Sequence, residues 1–432
     1  MAGGGNADTH DGRPPAGRRA VLSWVLYDWA YGAFTTLVST FVFATYFTQA
    51  VAPDPATGAS LWAGAQAASG VLIALLSVPL GAIADRGGRR RPMLAVATAL
   101  MVAATLSLWF VRPEPGYVPL ALGLAMLATV AFEVATVFYN AMLPDLAPPS
   151  RLGRLSMLGW GAGYAGGLVA LALSLVVLIN PAVPPFGLDK AQAEPVRATA
   201  LLAGLWLAAF TWPCVVFVPE SGPRRPWGAA ARQGLTELRA VLGDLLHVMP
   251  LRRFLVARLF YMDGLITLFA FGGIYAAGEF GLDARQVLIF GIALNISAGL
   301  GAAGFALIED RIGARSCVLV SLAALCVLSS AVLLVRDPAW FWGLGVPLGL
   351  FVGPAQAASR SMMAHMAPPN ARAAWFGLFA LSGRVTAFLG PAALGLVTAL
   401  FHSQRAGMTV IVVFLALGAL LLARVPSPVP DR

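Results

Sequence analysis

Residues 81–92 read GAIADRGGRRRP. One carboxylate, Asp85, is followed at once by Arg86 and, past Gly88, by Arg89, Arg90 and Arg91. Gly81 permits another helix to come close, and Gly88 suits a tight turn. The stretch has an echo: residues 310–315 read DRIGAR, with Asp310 and Arg311 in the same places, so both segments follow D-R-x-G-x-R at a separation of 225. APPSR from Ala147 and APPNAR from Ala367 are a second pair, 220 apart. The Tyr-Asp at Tyr27 and Asp28 has a weaker counterpart in YMD, Tyr261 to Asp263. Three echoes in register, at about half of a 432-residue chain, point to a duplicated fold.

Both copies of the stretch lie between long apolar runs. The chain is 59% hydrophobic and 11% charged, with mean hydropathy +0.78. Soluble domains carry roughly 25% charged residues. Lipid is therefore the solvent for most of this chain. Twelve runs reach spanning length, at about 21–49, 60–84, 92–111, 117–143, 155–180, 198–218, 253–277, 285–308, 315–335, 339–365, 373–401 and 406–424. The alternating ten-residue segments of a barrel are missing, so the fold class is all-α integral membrane.

The net charge is +9, and all 29 basic residues but Lys190 are arginine. They fall in short loops between apolar runs, which sets topology and argues against nucleic acid. With the N-terminus inside, 22 of the 29 lie in cytoplasmic loops and tails. Both termini are then expected on the cytoplasmic side of the inner membrane. The expected organisation is a disordered N-terminus over 1–19, a six-helix bundle over 20–219, a linker over 220–252, a second bundle over 253–425 and a tail over 426–432. Within the linker, GLTELRAVLGDLLHVM has helical periodicity and can connect the halves or lie on the membrane surface.

GAIADRGGRRRP resembles the loop motif G-x-x-x-D-R-x-G-R-R of the major facilitator superfamily, in its usual place between spans two and three. The resemblance implies twelve helices in two pseudo-symmetric bundles. It also implies a conformational latch that includes Gly81, Asp85, Arg86, Gly88, Arg89 and Arg90, with Asp310 and Arg311 in the second copy. YDWAYGAFTT, VFYNAMLPD, FYMDGLITLFAFGG, GPAQAASRSM and WFGLFALSGRVTAFLGP narrow it to the "unknown major facilitator" group, which includes fungal autophagy-related vacuolar amino-acid effluxers. Two positions depart from that group's pattern: Tyr31-Gly32 follows YDWA where Asn-Ser is usual, and Arg384 stands where a lysine is expected.

An ionised side chain at the bilayer centre costs at least about 2.5–3.5 kcal/mol, so such residues face a cavity or a partner. The candidates are Asp28 in span one, Glu133 in four, Asp263 in seven, Gln356 and Arg360 in ten, and Arg384 in eleven. In the superfamily, spans one, four, seven and ten line the central cavity. Asp28, Tyr31 and Thr35 share a helix face, as do Glu133 and Asn140, Asp263 and Thr267, and Gln356, Arg360 and Met363. Asp28 has two readings, a structural pair with an arginine or a titrating group. Glu133 and Asp263 have two as well, proton coupling or substrate contact against a static ion pair. Arg384 can hold a substrate carboxylate in a two-pronged grip or neutralise Glu133 or Asp263. Tyr31, Tyr139 and Tyr261, with Tyr27, Trp29 and Trp375, are candidate substrate contacts or packing residues.

GAGYAG at 161–166 fits G-x-G-x-x-G but lies inside span five, without the strand a dinucleotide site needs. Gly159, Gly163 and Gly167 are instead spaced for close helix packing. Pro391 is placed to interrupt span eleven. Cys214, Cys317 and Cys326 form no CxxC pair and read as buried thiols. No metal, cofactor or catalytic residue is expected. The expectation is a monomeric secondary transporter of a small polar solute, an amino acid or similar zwitterion, coupled to protons. The alternatives are a lipid transporter or an enzyme acting on a lipid-linked substrate.

Overall fold

The computed structural model describes residues 16–220 and 225–427. Most of the expected disordered N-terminus, the last five residues of the tail and Arg224 lie outside them. Eleven helices among the described residues are long and apolar enough to cross a membrane. Spans one to six are Arg18–Val51, Pro55–Gly87, Arg90–Phe110, Pro115–Leu146, Pro149–Ile179 and Glu194–Phe217. Spans seven to ten are Met249–Phe280, Arg285–Phe305, Ala314–Leu334 and Pro338–Met366, and span twelve is Gln404–Leu422.

Span eleven, read from the sequence as the run 373–401 with Pro391 placed to interrupt it, is in two pieces, Arg372–Ser382 and Leu389–Phe401. Pro391 explains where the second piece can begin. It has no N–H for the preceding turn, and its ring crowds the carbonyl four residues back, so the first turn of a helix is where it fits without disturbing a hydrogen bond. The break falls just before it, over 383–388. Span one also departs from α geometry, with wide π turns over Phe34–Phe41 and Phe47–Val51.

The sequence punctuates the helix ends. Asp54 caps span two through the Thr57 amide at 2.9 Å, with Pro55 in the first turn. Gly88 ends it at φ +56°, a left-handed conformation that a side chain would resist. Asp283 and Gln286 form a reciprocal capping box just before span eight. Leucines such as Leu75, Leu100, Leu205, Leu334 and Leu420 remain more than 45% exposed. On a soluble protein so many would be anomalous; here they form the lipid-facing belt.

Spans one to six and seven to twelve form two bundles. They meet where span two packs on the first piece of span eleven and where span five packs on spans eight and ten. The second piece of span eleven packs on spans seven and twelve. The linker helix, Trp227–His247, lies against span two.

Candidate functional site

The D-R-x-G-x-R copies sit at the junction of the two bundles, on the face where span one begins and span twelve ends. Each aspartate crosses to the other bundle and receives backbone N–H groups at the start of a span. Asp85 accepts from Ala373 at 3.1 Å and from Ala374 at 2.9 Å, in the first turn of span eleven. Asp310 accepts from Arg154 at 3.1 Å, in the first turn of span five. A carboxylate at a helix N-terminus satisfies donors that have no partner within the helix and opposes the helix dipole.

Two further pairs repeat this symmetry. Asp145 closes span four and accepts from Arg372 at 2.6 Å, while Arg90 links Asp85 at 2.8 Å to Asp145 at 3.4 Å. His365, 220 residues after Asp145, contributes Nε2 to the Pro149 carbonyl at 2.9 Å, at the start of span five. Gly81 lies against the Ala373 backbone, where a β-carbon would clash. Of the expected latch residues, Arg89 has another task. It donates to the Arg225 carbonyl and covers the Trp227 ring, which secures the linker helix. Arg86 borders a small hollow with Asp85, Val241 and Asn370, and Arg311 is exposed.

Glu309, beside Asp310, is 1% exposed and is held by the Ser361 hydroxyl of span ten. Its counterpart in the first copy is Ala84. Burial pushes the Glu309 carboxyl up to about 8 and also raises Asp310, which the Arg154 amide opposes.

Within the membrane region two ion pairs cross between the bundles. Arg360 of span ten inserts into the first bundle. It donates to Asp28 at 2.8 Å, to the Ser156 hydroxyl at 2.9 Å and carbonyl at 2.6 Å, and to Asn140 at 3.5 Å. The Trp24 ring lies 4.7 Å from its guanidinium. Asp28, Asn140 and Arg360, each on a polar helix face, meet here; Ser156 was not anticipated.

The second pair is Glu133 of span four with Arg384, which sits in the break of span eleven. Both Nε, at 3.0 Å, and Nη2 donate to one Glu133 oxygen. The Arg384 side chain is 39% exposed and that of Glu133 12%, against 4% and 13% for Arg360 and Asp28. Of the two cross-bundle arginines, Arg384 is the accessible one.

Among the described residues, Asp263 pairs with no arginine. Its Oδ2 accepts the Gly390 amide at 3.0 Å, in the first turn of the second piece of span eleven, and Oδ1 is buried without a partner. Five residues earlier on span seven, Arg258 donates to the Phe379 carbonyl at 2.6 Å and to Ser382 at 2.8 Å, where the first piece ends. Span seven thus caps both broken ends with the charge each helix terminus favours. Arg258, read from the sequence as a topology-setting residue, is a buried cap.

The tyrosines expected beside substrate are packed in this conformation. Tyr139 is fully buried, stacked on Trp24 with ring centroids 4.5 Å apart, and its hydroxyl donates to the Trp24 carbonyl. Tyr31 donates to the Tyr27 hydroxyl at 3.0 Å. Tyr261 meets Ser359 at 2.6 Å and is fully buried. Each phenol thereby satisfies its polar end inside its own bundle. Gln356 is half-buried one turn before Arg360. Among the described residues no cluster of histidine, cysteine or acidic side chains is suited to a metal.

Residues 56–152 and 149–428 match the family described as "Vacuole effluxer Atg22 like". The chain belongs to that family, within the major facilitator superfamily. This Atg22-like protein is 25% identical over 414 residues to the uncharacterized MFS-type transporter YxiO of Bacillus subtilis, covering 94% of each chain. It is 26% identical over 294 residues to autophagy-related protein 22 of Cryptococcus neoformans, covering 63% of this chain and 52% of that one. It therefore spans about half the length of such fungal relatives. The proton:xylose symporter XylE superposes with a TM-score of 0.73 at 13% identity, over 95% of this chain and 96% of that one. The human organic anion transporter MFSD10 gives 0.69 at 18%, over 94% and 98%. At such identities these likenesses establish the fold alone. The Atg22-like protein is a multi-pass membrane transporter of the major facilitator type.

Proposed function

We propose that this transporter moves an amino acid or similar zwitterion by alternating access, coupled to protons, across the cytoplasmic membrane, with its arginine-rich face inside. The observation that carries this reading is the Glu133–Arg384 pair, which joins the bundles through a broken, partly exposed segment. A substrate carboxylate fits the planar guanidinium of Arg384 as Glu133 does. Its arrival displaces Glu133, and the released carboxylate is the group to which this reading assigns the coupled proton. Neutralised, Glu133 no longer pulls Arg384 back, and the bundles are free to rock about the bound solute.

The reading is tested in proteoliposomes with an imposed pH gradient. Glu133→Gln is expected to abolish gradient-driven uptake of labelled amino acid while leaving solute exchange without a gradient in place. Arg384→Ala is expected to lose both. Undiminished gradient-driven uptake by Glu133→Gln overturns the coupling role. Full exchange by Arg384→Ala overturns the substrate role.

A further inference from the structure

The linker helix Trp227–His247 carries two apolar faces, and only one is covered. Ala230 and Val241 are buried against span two, and Gly234 comes so close to Ala82 and Ile83 that a β-carbon would not fit. At 3.6 residues per turn, Leu235, Leu242 and Leu246 form a second stripe about a third of a turn round the helix from these. They are 52%, 43% and 62% exposed.

Three observations identify what covers that stripe. The helix crosses span two at Ala82, Ile83 and Gly87, its last two turns, where a spanning helix leaves the hydrocarbon. Arg232 and Arg239, both exposed, lie on the flank next to the leucines, whereas Asp244 is about half a turn away from them. At the helix start, Trp227 is half-exposed under the Arg89 guanidinium. Leucines bordered by arginines and a tryptophan, with the carboxylate turned away, are complementary to an anionic bilayer surface. A soluble acidic partner would match the arginines but would have to reach the leucines at the level of the membrane edge.

We infer that the linker helix is a lipid-seated strut: its leucine stripe rests at the acyl boundary, and Arg232 and Arg239 bind phosphates of anionic lipids. The buried face carries the effect onward, because Val241 borders the same hollow as Asp85, Arg86 and Asn370. Seating the helix thereby supports the junction at which Asp85 caps span eleven.

The test uses the full chain with its three cysteines replaced by serine, spin-labelled at Leu242→Cys or, on the polar face, at Ala240→Cys. Each is placed in nanodiscs of phosphatidylcholine alone or mixed with phosphatidylglycerol. Relative collision rates with oxygen and with a water-soluble nickel chelate report depth. At position 242 the oxygen-to-nickel ratio is expected to exceed that at 240 several-fold and to rise further with phosphatidylglycerol. Arg232→Gln with Arg239→Gln is expected to remove the rise. A nickel-accessible label at 242 in both lipids overturns the inference. So does nickel protection that disappears at one chain per disc, which assigns the stripe to a second copy, and so does a ratio at 242 that phosphatidylglycerol leaves unchanged.

Discussion

Spans five and eleven occupy equivalent places in the two bundles and start alike. Each follows an Ala-Pro-Pro segment, opens with a short 3₁₀ turn and is capped by an aspartate from the opposite bundle. Beyond the first turns they diverge. Span five runs on against span one with backbone touching backbone: Gly163 and Gly167 meet Gly32, and Gly166 meets the Trp29 carbonyl. Span eleven has no such glycine seam with span seven. It breaks, and Arg258 and Asp263 hold the two ends. One position in the pseudo-symmetry is thus a close-packed strut and the other a jointed one, and the joint holds the accessible arginine.

The largest test of this contrast is Arg360→Ala, since Arg360 ties span ten to span five through Ser156 and leaves Asp28 buried when removed. An unpaired buried charge costs about 3–5 kcal/mol, read as a lower thermal unfolding midpoint, and Asp28→Asn in the same chain is expected to restore part of it. Arg384→Ala also leaves a largely buried carboxylate, Glu133, without its partner, but at a more open joint, and is expected to cost less than Arg360→Ala. Equal losses would erase the distinction between strut and joint.

Within span five, Gly166→Ala forces a methyl into the Trp29 carbonyl and is expected to destabilise by about 1–3 kcal/mol. Gly161→Ala, whose nearest neighbour would be 3.8 Å away, is expected to change stability by less than about 0.5 kcal/mol.

The two caps sharpen the comparison further. Asp85 receives two amides and Arg90, whereas Asp310 receives one amide. Asp85→Asn is expected to weaken the closed junction by about 1–3 kcal/mol and Asp310→Asn by about 0.5–1 kcal/mol, measured as the closed fraction in label-to-label distance distributions.

A pH dependence is expected on the span-five side. Glu309 is raised from 4.5 to about 8 in the closed junction, so the closed state binds the proton more tightly than a hydrated, open one. The closed fraction is then highest below pH 4.5 and declines as the pH rises to about 8. Glu309→Gln is expected to flatten that decline; an unchanged profile would remove Glu309 from the junction's energetics.

Much of this was readable in advance. The D-R-x-G-x-R pair gave the duplication, helical spacing put Asp28, Asn140 and Arg360 each on a polar helix face, and the family resemblance turned those helices toward one cavity. Pro391 marked span eleven for interruption, though not its extent, because a proline restricts the turn before it without dictating how many residues the gap contains. Arg258, Asp145, Ser156 and Glu309 escaped notice for a different reason. Each looks ordinary at a span end, and each acquires its role from a backbone group or side chain more than 50 residues away. Asp145 and His365 did carry one usable sign, since they precede the Ala-Pro-Pro repeats at equal distances.

The gap in span eleven has a mechanical consequence. Its inner segment is anchored at the Asp85 junction, while its outer segment leans on spans seven and twelve. Six residues in turns lie between them, so the two segments are fastened to different parts of the molecule rather than forming one rigid rod. In the cycle proposed above, that separation lets one mouth of the carrier open without drawing on the seal of the other.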